Sequence, residues 1–140
     1  MAITQSMVSS FKQQLLLGEH DMDTDTFKIA LYTSAATLDA STTVYTTSNE
    51  VATGGGYTAG GNTLSGATVS LSGTTAFVDF SDTTWSTSTI TARGALIYNS
   101  SKSNKAVAVL DFGSDKTSSG GNFTIQFPAN TAADAIVRIA

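Results

Sequence analysis

The chain has no cysteine, one proline, one histidine and one tryptophan in 140 residues. Without cysteine, neither a disulfide nor a thiolate metal site can form, which fits a reducing compartment. A lone histidine leaves a zinc set short of ligands. It also leaves His20 as the sole imidazole base for a nucleophilic triad, and no G-x-S-x-G elbow is present. Charge is scarce at 13%, with a net value of −4. The seven basic residues are scattered, so no basic stripe exists for a phosphate backbone, and nucleic acid is not an expected partner. No apolar run reaches membrane-spanning length and no secretory h-region follows Met1. These absences predict a soluble protein made in the cytoplasm, without cofactor and without membrane.

What fills the chain instead is hydroxyl. Serine and threonine make up roughly 30% of it, far above ordinary usage. Threonine suits strands, and serine and glycine suit turns. Solubility is carried by hydroxyls rather than charges, so copies of the protein can sit close together with little repulsion.

The clearest pattern is Ala92–Gly113. Two apolar runs, Ala95–Tyr98 and Ala106–Phe112, flank a polar turn at Asn99–Lys105, which predicts a central hairpin. Ala108, Leu110 and Phe112 share one face, while the Val107–Val109–Asp111 face ends in charge. Packing mainly on the Leu110 side is therefore expected. Further strands are predicted at Phe27–Thr33, around Val44–Thr46, at Leu64–Leu71, at Ala76–Phe80, at Phe123–Phe127 and at Ala135–Ile139. Phe77 and Phe80 cannot share a face of a flat strand, so a bulge or a strand end is expected between them. Ser81–Ser88 and Ser114–Asn122 read as polar loops.

The pattern as a whole predicts an all-β protein. It is read as a single β-sandwich or jelly-roll-like domain of about seven or eight strands over residues 19–140. Residues 1–18 are read as an N-terminal helical segment or arm. Ile3, Met7, Phe11 and Leu15 recur every four residues, and Gly18 supplies the stop.

Three groups of residues are candidates for chemistry. Asp21, Asp23 and Asp25 have the alternate spacing of calcium-loop ligands, but Thr26 stands where that loop needs glycine and Tyr32 where it needs glutamate. The glycine-rich stretch Val51–Asn62 lacks the Lys-Ser/Thr of a phosphate loop. Asp79, Asp82, Asp111 and Asp115 fall at predicted strand ends, the one place where the facing carboxylates of a glycosidase could converge. None of these completes a motif, and no catalytic, metal or cofactor residue is assigned.

Contact surfaces are better represented. Leu15, Leu16 and Leu17 in succession need a cover. With Phe11 they form one candidate interface. Tyr57 on the glycine loop and Trp85 on the polar loop form a second, as a subunit contact or as stacking platforms for a sugar, although a lone tryptophan such as Trp85 is more often a core plug.

The residues also carry a resemblance. DTFKIALYTSAATL (Asp25–Leu38), NEV…GGYTAGG (Asn49–Gly61), ITARGALIYN (Ile90–Asn99) and NKAVAVLDFGSDKTSSGGNFTIQFP (Asn104–Pro128) are together similar to a family of small virion proteins of tailed bacteriophages. The similarity runs from about His20 to the end, as a pattern of strands and turns rather than a catalytic motif. It implies a non-enzymatic capsid decoration, or cement, protein: a homo-oligomer, dimer or trimer, bound to the major capsid protein on the virion surface. A head–tail or tail component with carbohydrate-binding loops is the alternative it implies.

Overall fold

The predicted hairpin is the centre of the molecule. In the computed structural model, which describes residues 2–140, it is formed by β7 (Thr91–Asn99) and β8 (Lys105–Thr117). A short β1 (Ser6–Met7) pairs with β8 on one side. On the other, β2 (Phe27–Tyr32) pairs with β7 and carries β3 (Asn62–Thr63) at its outer edge. All pairs in this five-stranded sheet are antiparallel.

Two smaller sheets complete the all-β fold. One has the order β10-β5-β4, from β4 (Thr68–Ser72), β5 (Thr75–Asp79) and β10 (Val137–Ile139). The other joins β6 (Thr83–Ser88) to β9 (Gly121–Ile125). Aromatic rings tie the layers together. Phe27 of β2 meets Phe80 at 5.8 Å, Phe80 meets Phe127 at 5.8 Å, and Trp85 meets its cross-strand partner Phe123 at 6.1 Å. Each ring pair adds about 0.5–1.5 kcal/mol to the burial of its own surface. β5 ends at Asp79, so Phe80 escapes the face constraint by lying just past the strand, as expected.

Three expectations are corrected. The hairpin is covered on both faces, not mainly one. Val107 and Val109 are fully buried, while Leu110 and Phe112 are only half-buried. The second face is apolar at Ala30 and Leu96 as well, and the chain closes it with Val8, Phe11 and the loop that carries Tyr45, whose ring stacks on Tyr98. Ser81–Ser88 is no loop. Thr83 and Trp85 point inward and Thr84 and Ser86 outward, which is strand alternation written in hydroxyls. Ser114–Asn122 is mostly strand too, because β8 runs to Thr117 and leaves only a tight turn before β9. Its register steps from Gly94↔Asp111 to Ala92↔Lys116, so residues 112–115 bow out, with Gly113 at φ 81°.

The N-terminal helix is shorter than its periodicity suggests. Only Ser9–Leu16, here α1, is helical. Ile3 instead forms a parallel bridge with Leu38 and lies over Gly94, where a Cβ would come within 2.9 Å of the isoleucine side chain. Val8, in extended conformation, starts the helix without a side-chain cap. The first amides find carbonyls from elsewhere: Val8 N–H donates to Val107 O at 3.0 Å and Ser9 N–H to Ala40 O at 2.8 Å. Gly18 at φ 72° ends the helix as expected, with its N–H on Leu15 O at 3.1 Å. The segment is thus a covering layer of the core rather than an arm. Among the described residues no helix is long and apolar enough to cross a membrane.

Candidate functional site

The expected contact residues separate into two sets. Phe11 lies fully buried beneath α1, edge-on to the His20 ring at 4.8 Å. Leu15, one turn on, is half-buried beside it. Leu16 turns about 100° further round the helix and is 92% exposed, and Leu17 at the C-cap is 65% exposed. Tyr57 and Trp85 are core residues, 5.9 Å apart ring to ring. Neither offers surface to a partner or a sugar, and neither does Phe11. The second predicted interface therefore does not exist at those residues.

Tyr57 is buried because its loop is pinned rather than mobile. Gly54 and Tyr57 close a tight turn through reciprocal backbone hydrogen bonds of 2.8 and 3.1 Å. Gly61 then passes so close to β2 that a Cβ would sit 1.7 Å from Ile29 O, which only glycine permits. The Tyr57 hydroxyl accepts from Leu31 N–H at 2.9 Å, in the gap that β3 leaves along the edge of β2. It donates to Glu50 Oε2 at 2.6 Å. The Tyr45 hydroxyl donates to Oε1 at 2.6 Å and Gly60 N–H to Oε2 at 2.7 Å. The Tyr98 hydroxyl donates to Gly60 O at 2.7 Å, and Tyr32 donates to Thr46 O. All four tyrosines of the chain thus close one polar latch around Glu50. Burial, reinforced by the Glu50 charge, pushes Tyr98 up to about 12 and the other three phenols higher still. They act as fixed hydrogen-bond donors.

The acidic segment divides: Asp21 and Asp23 are exposed on its turn, and Asp25 reaches back to the protein. Asp21 Oδ1 accepts from the N–H groups of Asp23 and Thr24 at 3.0 and 3.2 Å. Asp25 faces the opposite way, taking the Asn99 amide at 2.8 Å and the Lys102 ammonium at 2.9 Å. Burial opposes its charge, but the Asp21 N–H, Asn99 and Lys102 prevail and hold it at about 2. Asn99 also donates to His20 Nδ1 at 3.0 Å, so the ring proton sits on Nε2 and donates to Gln14 Oε1 at 2.8 Å. Burial and then the Lys105 charge push the imidazole below its ordinary value. Among the described residues no three His, Asp or Glu side chains converge on a point that would hold a metal ion.

Three of the four carboxylates at strand ends serve the backbone or a neighbour. Asp79 accepts from Phe80 N–H and Asp82 from Phe127 N–H at 2.8 Å. Asp111 accepts from Gly113 N–H at 2.9 Å and from Arg93 at 3.3 Å. Asp115 is exposed on the bowed part of β8.

Two open features remain. A groove of about 570 Å³ lies between the bow of β8 and β9, with an apolar floor of Leu110, Phe112, Phe123 and Ile136 and a polar rim that includes Asp111 and Lys116. The second is a set of exposed apolar side chains: Leu16 and Leu17, with Val69 and Leu71 on β4 and Ile139 on β10. The β4 residues escape sequence reasoning because two apolar residues among hydroxyls look like an ordinary half-buried strand. Comparison of the chain with protein-family models, with curated proteins and with solved structures gives no match.

Proposed function

We propose that this chain is a non-enzymatic decoration, or cement, protein of a tailed-bacteriophage capsid. It is made in the host cytoplasm, binds the major capsid protein on the outer surface of the head as a homo-oligomer, and bridges neighbouring subunits. The observation that carries this reading is the apolar tip of α1. Leu16 and Leu17 stand in solvent on a chain whose outward positions are otherwise rich in serine and threonine. They are held at a fixed place, because Phe11 and Val8 anchor the same helix in the core. A large exposed apolar step on a rigid body is what a docking contact needs. Each contact can be modest, since copies fixed on one lattice gain strength through effective concentration. The similarity of Asp25–Leu38, Asn49–Gly61, Ile90–Asn99 and Asn104–Pro128 to small phage virion proteins supplies the kind of assembly.

The test is copy number per virion, by quantitative mass spectrometry against the major capsid protein. Copies comparable in number to the capsid protein are expected. A handful per particle would move the chain to the head–tail junction or tail. Absence from purified virions would overturn the reading.

A further inference from the structure

We infer that β4 is a two-fold contact between two copies of this chain, pairing antiparallel with its own counterpart about Ser70. The inference rests on the decoration reading only for its biological use. It names the self-contact that such an oligomer would employ.

The first observation is an open edge. β4 is the outermost strand of the β10-β5-β4 sheet. It joins β5 through a two-residue turn, Gly73–Thr74, with Gly73 at φ 59°. In such a hairpin the residues flanking the turn exchange backbone hydrogen bonds, and the pattern alternates from there. The pairs Ser72↔Thr75, Ser70↔Phe77 and Thr68↔Asp79 therefore bond inward. The N–H and C=O groups of Val69 and Leu71 point outward. Among the described residues, no backbone or side-chain group bonds to them from outside the sheet.

The second observation is that the strand is complementary to itself. Thr68-Val69-Ser70-Leu71-Ser72 alternates polar and apolar symmetrically about its centre. Antiparallel pairing about Ser70 sets Val69 opposite Leu71 of the second copy and Thr68 opposite Ser72. The four outward backbone groups of each copy then meet partners of the right kind. Val69 and Leu71 are 51% and 72% exposed, so the pairing covers apolar surface that nothing in the monomer covers. Leu71 stands in register with Ala76 and Ile139, and Ile139 is 57% exposed, which continues the apolar row across the sheet away from the axis.

The third observation is charge. Residues 51–78 contain no Asp, Glu, Lys, Arg or His. Edge strands are ordinarily guarded against self-pairing by lysine, proline or a bulge, and β4 has none of these. The strand itself brings no like charges together, and the nearest carboxylates, Asp21 and Asp23, line a shallow cleft with Val69 rather than the strand's own edge. An isologous contact of this kind closes on itself and yields a dimer with one six-stranded sheet, not a fibre. A capsid strand added to the same edge would be a different occupant. The symmetry of the TVSLS pattern favours the second copy.

The experiment uses the full chain in solution, with mass read by light scattering from about 1 to 200 µM; a dissociation constant on the order of micromolar fits so small a contact. A concentration-dependent rise from 14.4 kDa to twice that mass is expected. V69K/L71K sets like charges opposite each other and stays monomeric. V69K/L71E sets opposite charges across the axis and restores the dimer, which also controls for folding. In this cysteine-free chain, S70C forms a disulfide-linked dimer on oxidation. Directly opposed residues of a non-hydrogen-bonded pair lie about 4.5 Å apart at Cα, within disulfide reach. T68C faces residue 72 of the partner and does not crosslink to itself. A wild-type monomer at all concentrations, a trimer, a dimer that survives V69K/L71K, or crosslinking of T68C as fast as S70C would each overturn the inference. All are readouts on the isolated chain, so a negative result leaves the virion copy number to judge capsid decoration separately.

Discussion

The loop that carries Tyr45, Glu50 and Tyr57 and the hairpin that carries Val69 and Leu71 follow one another in sequence, yet they invert each other's chemistry. In the first, phenols and a carboxylate lie against the core, each hydrogen-bonded. In the second, valine and leucine stand in water. In a chain this rich in hydroxyl, polarity does not sort inside from outside. What sorts the two regions is closure of backbone hydrogen bonds. The Tyr57 hydroxyl fills a gap at one sheet edge, and β4 leaves another edge open. The first region reads as finished and the second as awaiting a partner.

The largest break in that contrast comes from the finished side. Trp85→Ala removes a ring that touches both Tyr57 and Phe123 and leaves a cavity between the layers. It should cost about 3–5 kcal/mol. Chemical denaturation would read this as a lowered midpoint, whereas an unchanged midpoint would mean that Trp85 is not the plug described.

Glu50→Ala comes next. It strands the hydroxyls of Tyr45 and Tyr57 and the Gly60 N–H together, a loss of about 3 kcal/mol. Tyr57→Phe should cost about 1–3 kcal/mol, because it removes the acceptor of Leu31 N–H as well as one donor to Glu50. The double variant should lose less than the sum, since both act on one network. Strict additivity in thermal melts would show that the latch is not a unit.

Acid sharpens the contrast less strongly. The Asp25 carboxyl is held at about 2 against an ordinary 3.8. A lowered carboxylate contributes stability that is complete above its unfolded value and is lost as pH falls through the folded one. The Asp25 contribution should therefore disappear between about pH 4 and pH 2. Asp25→Asn should flatten the acid limb of a stability–pH curve in that window and leave the region above it parallel to wild type.

The central hairpin, the strand at β2, the β4–β5 pair and the helix stop at Gly18 were legible because apolar alternation or a glycine marked them. β6 was not, since its outward positions are Ser and Thr and its pattern rests on Thr83 and Trp85 alone. The periodicity from Ile3 to Leu15 misled because a residue every fourth position satisfies a helix, yet Ile3 and Met7 are held by Leu38 and β8 in extended form. Of the expected contact residues, Leu16 and Leu17 were found on the surface by a run of three leucines that no single helix face can bury. Tyr57 was misplaced because the carbonyl its glycine loop presses against lies elsewhere in the chain, whereas the burial of Trp85 fits the reading of a lone tryptophan as a core plug rather than a contact.

The smallest effect on stability should come from the open side, and there it tests function. L16S/L17S removes side chains that are already in water, so the unfolding free energy should stay within about 0.5 kcal/mol of wild type. If the apolar tip docks on the capsid, burying two leucines contributes about 3–6 kcal/mol, and losing them should weaken head binding by roughly a hundredfold or more. Co-sedimentation with heads stripped of the protein reads this directly. A variant that melts normally but stays in the supernatant would separate the folding surface from the docking surface. A variant that still sediments with heads would show that the exposed leucines are not the capsid contact, and attention would pass to the groove beside Phe112.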